Sequence, residues 1–207
     1  RLIPAEITQK INFPISMRGT YYQIVSFEVG KYSLVTQKSD KIENYALRLK
    51  EVIDAYKAYT GSEKLDIVAH SMGGLVVREY IRIFGDQDVG KLIMIGTPNN
   101  GISKGNVRLC TLFGSSRECE DMEQGSLFMK RLSSAKVPSV KVYNIIGTGC
   151  GEDKKSDGVV NTEDVELDYA RNIYVEGDCT SRNLHSKLID PKAQKRVVGI
   201  IGELLDG

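Results

Sequence analysis

The chain has 207 residues, of which 41% are hydrophobic and 27% charged, so it can bury a core and is not a disordered polymer. Lys and Arg total 28 against 27 Asp and Glu, a net charge of +1 that lacks the basic excess of a nucleic-acid-coating surface. No apolar run approaches the roughly 18–20 residues that cross a bilayer, and the length fits a single domain spanning residues 1–207.

Tyr22 to Val29 is rich in β-branched and aromatic residues and predicts a strand. From Asp40 to Tyr59, Ile42, Tyr45, Leu49, Val52, Ile53 and Tyr56 recur at helical spacing, with Gly61 as a stop. Leu65 to Ala69 is short and apolar, the pattern of a strand buried on both faces. Leu75 to Phe84 carries helical periodicity up to Gly85, and Lys91 to Ile95 predicts another buried strand before the breaker Gly96-Thr97-Pro98. Between residues 101 and 135 the periodicity loosens, which over roughly 35 residues predicts a functional loop, here a cap or lid insertion. Val140 to Ile146 and Asn172 to Val175 complete the strands, and Pro191 is placed to open a closing helix. Strands alternating with helices predict an α/β fold, a mostly parallel sheet flanked by helices.

Four cysteines, Cys110, Cys119, Cys150 and Cys179, contain no C-x-x-C pair, and His70 and His185 are the only histidines. No metal site or cofactor is expected from that set. Two readings of the cysteines stay open: four reduced buried thiols, or two disulfides, Cys110–Cys119 and Cys150–Cys179. The second is favoured and places the chain outside the cytosol.

Ala69-His70-Ser71-Met72-Gly73-Gly74 lies between a buried strand and a helix, the setting of a nucleophile elbow. The sharp turn needs small residues two positions before and after the serine, and Ala69 and Gly73 fill them. It lifts the Ser71 hydroxyl off the sheet edge and turns the Met72 backbone N–H toward a developing oxyanion. A serine needs a base to take its proton. His70 is adjacent to Ser71, its side chain leaves in another direction, and it reads as packing beside the elbow. His185, beyond the last strand, is the expected base. The carboxylate that orients it should follow the strand ending near Gly147, where Glu152, Asp153, Asp157 and Asp164 are available. Asp157 is anchored by Gly158-Val159-Val160 and is preferred; Asp153, in a solvated charge cluster, is its rival. The glycines at 147, 149 and 151 do not have dinucleotide-binding spacing, and the acidic residues after them would repel a pyrophosphate.

Leu65 to Tyr80, the GTPNNG of residues 96–101, Asp121 to Leu132 and the SDGVV of 156–160 together resemble secreted bacterial lipases of the α/β-hydrolase superfamily. Ala170-Arg171-Asn172 and His185 to Pro191 extend the resemblance. It runs from about residue 20 to 200 and is nearest to class 2 lipases, with GPI inositol-deacylase-like hydrolases as a related set. The resemblance implies Ser71 as nucleophile, Asp157 as acid, His185 as base, and hydrolysis of acyl-ester or lipid substrates. It also implies a cap after the Gly-Thr-Pro turn, and the cysteines match the placement of a family disulfide. One departure concerns the oxyanion site. Such enzymes carry a His-Gly loop after an earlier strand, but residues 1–21 hold one glycine, Gly19, and no histidine. The expectation is that this element lies upstream of Arg1, in a preceding segment or domain.

The expected activity is serine carboxylester hydrolysis through an acyl-enzyme. An acyltransferase or thioesterase with the same triad, and a silent binding module on the same fold, are the alternatives. Leu109, Leu112, Phe113, Leu127, Phe128 and Met129 in the 101–135 segment could line an acyl groove or pack the segment onto the body.

Overall fold

The computed structural model describes the backbone of residues 22–28 and 31–36, and residues 40–103, 116–179 and 184–207. In chain order, strands β1 (Tyr22–Glu28) and β2 (Lys31–Thr36) precede helix α1 (Ile42–Thr60). Strand β3 (Leu65–His70), helix α2 (Met72–Phe84) and strand β4 (Val89–Ile95) follow. Helices α3 (Ser116–Met122) and α4 (Leu127–Ser133) lead to strand β5 (Lys141–Thr148). Helix α5 (Thr162–Val165), strand β6 (Arg171–Glu176), helix α6 (Leu184–Lys187) and helix α7 (Lys195–Asp206) close the chain. β1 and β2 pair antiparallel in a sheet of their own; β3-β4-β5-β6 form a parallel sheet in that order.

The β4 sequence shows why this sheet is covered on both sides. Successive strand side chains face opposite ways, and Leu92 and Met94 join α1 and α2 in one core, while Ile93 and Ile95 join α6 and α7 in another. All four are 2% exposed or less. The α1 stripe of Ile42, Tyr45, Ala46 and Ile53 is buried, and the helix stops where Gly61 takes a left-handed φ of 71° and donates its N–H to Lys57 O.

Four expectations differ in detail. β3 is not buried on both faces: it is the edge of the four-stranded sheet, and Val68 is 43% exposed. α2 starts at Met72, three residues before the apolar periodicity, because Gly73 and Gly74 in its first turn carry no side-chain signal. The closing helix begins at Lys195 and not at Pro191. Asp190 explains the delay: its carboxylate accepts from Lys192 N–H at 2.9 Å and its carbonyl from Gln194 N–H at 2.8 Å, so residues 190–194 form a self-contained turn. In the loosely patterned 101–135 segment, the structure places α3 and α4, with Ser126 Oγ accepting from Met129 N–H to cap α4.

Candidate active site

The chain leaves β3 at His70 and enters α2 at Met72, so Ser71 alone makes the turn. It does so at φ 53° and ψ −132°, one of two described non-glycine residues with positive φ. An L-residue adopts that conformation only where the surroundings impose it. Here the Ser71 N–H is held by Ile95 O at 2.8 Å, and a Cβ placed on Gly73 would sit 3.9 Å from that of Ala69. The latter is ordinary van der Waals contact, so alanine fits where the sequence departs from glycine. Met72 opens the helix, and its N–H has no partner within the helical ladder.

Asp157 and His185, distant in sequence, meet in the interior. His185 Nδ1 lies 2.6 Å from Asp157 Oδ2, with the side chains 2% and 1% exposed. The other carboxylate oxygen, Oδ1, accepts from Val159 N–H at 2.9 Å and Val160 N–H at 2.8 Å. The GVV that follows Asp157 is thus the anchor of its carboxylate. The backbones are joined as well, His185 N–H donating to Asp157 O at 2.9 Å. A carboxylate at Nδ1 selects the tautomer that carries its proton there and leaves Nε2 as the basic nitrogen. The Cys150–Cys179 disulfide joins the loop after β5 to the loop after β6, tying together the segments that carry the two residues. Asp153 is exposed and accepts from Lys155 N–H, away from the pair. Asp164 is buried beside Gln124 instead, and desolvation there raises its pKa.

Cys119 is also disulfide-bonded; Cys110, its expected partner, lies outside the described residues. So do Leu109, Leu112 and Phe113 of the expected groove. Phe128 and Met129, each 3% exposed, are core residues, whereas Leu127 is 78% exposed.

Two residues at the site were not assigned a role by the sequence. The His70 ring lies 4.7 Å from that of His185, and its Nε2 is 3.0 Å from His185 O. Burial, and then the neighbouring His185, push the His70 pKa down to about 4, so near neutral pH it is an uncharged ring donating to that carbonyl. It does pack beside the elbow, as read, but it also ties the elbow to the His185 backbone. Gly96, at φ 55°, is the second: a Cβ there would stand 3.1 Å from both Asp157 Oδ2 and His185 Nδ1. The Gly-Thr-Pro breaker after β4 is the sequence signal for it. Gly96 follows the Ile95 carbonyl that holds Ser71, so the elbow, Gly96 and the buried pair are successive neighbours along the carboxyl edge of the sheet. Among the described residues no hydrogen bond joins Ser71 to His185.

A parallel sheet with a strained strand–turn–helix serine and a buried Asp–His pair at its carboxyl edge defines an α/β hydrolase. The chain belongs to the family described as alpha/beta hydrolase of unknown function (DUF915), whose profile matches residues 15–188. No curated protein sequence matches it. Among solved structures, it is similar to the mature form of Bacillus licheniformis lipase BlEst2, with a TM-score of 0.61 and 16% identity over 79% of this chain and 77% of that one. The product of gene lin2722 from Listeria innocua is similar with a TM-score of 0.53 and 20% identity, over 80% and 75% of the two chains. A thermophilic esterase from Thermogutta terrifontis gives 0.50 and 14%, over 86% and 76%. At these identities the likeness is one of fold.

Proposed function

We propose that this hydrolase cleaves carboxylic esters with Ser71 as nucleophile, His185 as general base and Asp157 as the carboxylate that orients it. The observation that carries the reading is the buried Asp157–His185 hydrogen bond beside a serine held at positive φ. Strained backbone at a strand–helix turn serves to present a hydroxyl, and a doubly anchored carboxylate serves to hold an imidazole.

In the first half-reaction, Ser71 Oγ attacks the ester carbonyl carbon and its proton passes to His185 Nε2. The carbonyl oxygen becomes an oxyanion and accepts from the Met72 N–H. Collapse breaks the bond to the alcohol oxygen, which leaves with the proton from His185. Water then adds to the acyl-enzyme by the same route, giving a free acid and the original serine. Ser71 and His185 are not yet hydrogen-bonded, which suits a site whose contacts tighten when substrate fills it. The 101–135 segment is read as a cap and the acyl ester as a lipid. The Cys150–Cys179 disulfide supports placement in an oxidising, extracellular setting. Among the described residues no helix is long and apolar enough to cross a membrane.

A fluorophosphonate probe tests this directly. Covalent labelling at Ser71, lost in Ser71→Ala and His185→Ala, is the expected result. Folded protein that takes no label at Ser71 overturns the reading in favour of a silent module. Nitrophenyl esters of increasing acyl length then give the chain preference, and a faster turnover with added alcohol or thiol would assign acyl transfer instead.

A further inference from the structure

A second site lies on the flank of α2, away from the elbow. A cavity of about 290 Å³, close to the lower end of small-molecule sites, is lined by Arg78, Leu132, Lys136, Glu166, Asp168 and Tyr169, among others. Arg78 is about 10 Å along the helix axis from Ser71, and the other lining groups come from the end of α4 and the segments leading into β5 and β6.

The charge balance at Arg78 is unusual. The residue is 7% exposed, yet among the described residues no carboxylate comes within ion-pair distance of it. Its Nη1 donates to Asn99 O at 2.8 Å and Asn99 Oδ1 at 3.1 Å, both neutral acceptors. The next turn of the same helix shows the ordinary arrangement. There Arg82 grips Glu79 with two bonds, at 2.7 and 2.8 Å. Arg78 cannot lose its proton, and a buried guanidinium without a counter-ion is costly to desolvate. The residue lines the cavity. Tyr169, half-buried, lines the same cavity, and among the described residues its O–H has no acceptor. A positive floor with one extra hydroxyl donor is therefore open to the cavity.

The rim limits what can enter. Asp168 is exposed there, and Glu166 accepts from the Tyr174 hydroxyl at 2.6 Å. Exposed Lys136 offsets one of them, and Arg82, which also lines the cavity, is engaged by Glu79. The carboxylates disfavour a polyanion, and the guanidinium fork pairs bidentately with a single planar carboxylate.

We propose that this cavity binds a small organic monocarboxylate, its oxygens paired with the Arg78 guanidinium and the Tyr169 O–H. The site is independent of the ester-hydrolase reading. Isothermal titration of the whole chain with acetate, butyrate and benzoate, at constant ionic strength with chloride as the balancing salt, tests it. Inorganic phosphate is run as the competing anion. Saturable one-site binding of at least one carboxylate is expected. It should weaken at least tenfold in Arg78→Lys and severalfold in Tyr169→Phe, and be unchanged in Ser71→Ala. If Arg78→Lys does not fold, Tyr169→Phe alone decides. No saturable binding of any carboxylate, affinity for phosphate alone, or equal affinity in Tyr169→Phe and the parent chain would each overturn the proposal.

Discussion

The loop at residues 149–161 and the segment at residues 116–135 both flank the sheet and differ in the balance of polar and apolar contacts that holds them. The first is secured by polar backbone contacts. Gly149 and Cys150 donate to Lys154 O and Ser156 O, Asp157 N–H donates to Val160 O, and Ser156 Oγ joins the turn to Val160 O. A disulfide closes it onto the loop after β6. The second adds extensive apolar burial to its polar ties. Ile42 N–H donates to Asp121 Oδ2 at 2.9 Å, the Tyr45 hydroxyl donates to Glu118, and Cys119 is disulfide-bonded, while Met122, Phe128, Met129 and Leu132 are each at most 5% exposed and pack with α1 and α2. Hydrogen bonds fix direction to within tenths of an ångström, whereas apolar contacts mainly fix proximity. The Asp157 carboxylate, which meets His185, rests on the first kind of support.

That difference is broken most sharply by separating geometry from stability. Asp157→Asn keeps the size of the side chain and an oxygen for the Val159 and Val160 N–H groups, but it presents the wrong partner to His185 Nδ1. A loss of about 10⁴ in kcat on a nitrophenyl ester is expected, by analogy with the same change in other triads, at nearly unchanged melting temperature. An equal loss of folding would mean that the carboxylate is structural. Phe128→Ala does the reverse. Removing a ring that is 3% exposed should cost about 3–5 kcal/mol of unfolding free energy in urea, while the fraction that remains folded labels with fluorophosphonate as before.

The two regions were not equally readable. Ser-Asp-Gly-Val-Val carries its own turn chemistry, and the structure places Asp157, not Asp153, against His185. The alternation in Leu92 to Ile95 is hidden because both faces of β4 are buried, yet an unbroken apolar run is itself the signal of such a strand. The α3 helix was not legible: Ser116 to Met122 is mostly charged, and what orders it is distant in sequence, burial of Cys119 and Met122 together with hydrogen bonds of Glu118 to Tyr45 and of Asp121 to the Ile42 N–H. Nor was the edge position of β3, because which strands lie beside it is not a local property. The role of His70 was concealed for a similar reason. Its partner is a carbonyl 115 residues away.

His70 offers a pH-dependent test of how the elbow is tied to the polar loop. The unfolded chain protonates this residue near the ordinary value of 6.5, the folded chain only near 4. Between those values the unfolded state binds the additional proton, so its contribution to stability is complete above about 6.5 and declines as pH falls through 4. The full decline amounts to about 3 kcal/mol. His70→Gln retains a donor that does not titrate. The difference between parent and variant stabilities, from urea midpoints at pH 4 to 7, should grow with pH by up to that amount. A difference independent of pH would show that the ring is not desolvated in the way the packing against His185 requires.

The smallest effect is expected where the apolar segment meets solvent. Leu127, at 78% exposure, is the exception among its buried neighbours, so it contributes little to holding α4 in place. Leu127→Ser should change stability by less than about 0.5 kcal/mol. Phe128 and Met129 are committed to the core and cannot also line a groove without leaving it; an exposed leucine can meet an acyl chain. If it does, kcat/KM for a dodecanoyl ester should fall roughly fivefold, about 1 kcal/mol of lost apolar contact, with the acetyl ester unaffected. A uniform fall across acyl lengths would instead mean that the substitution reaches the Asp157–His185 pair, and that the two supports are coupled.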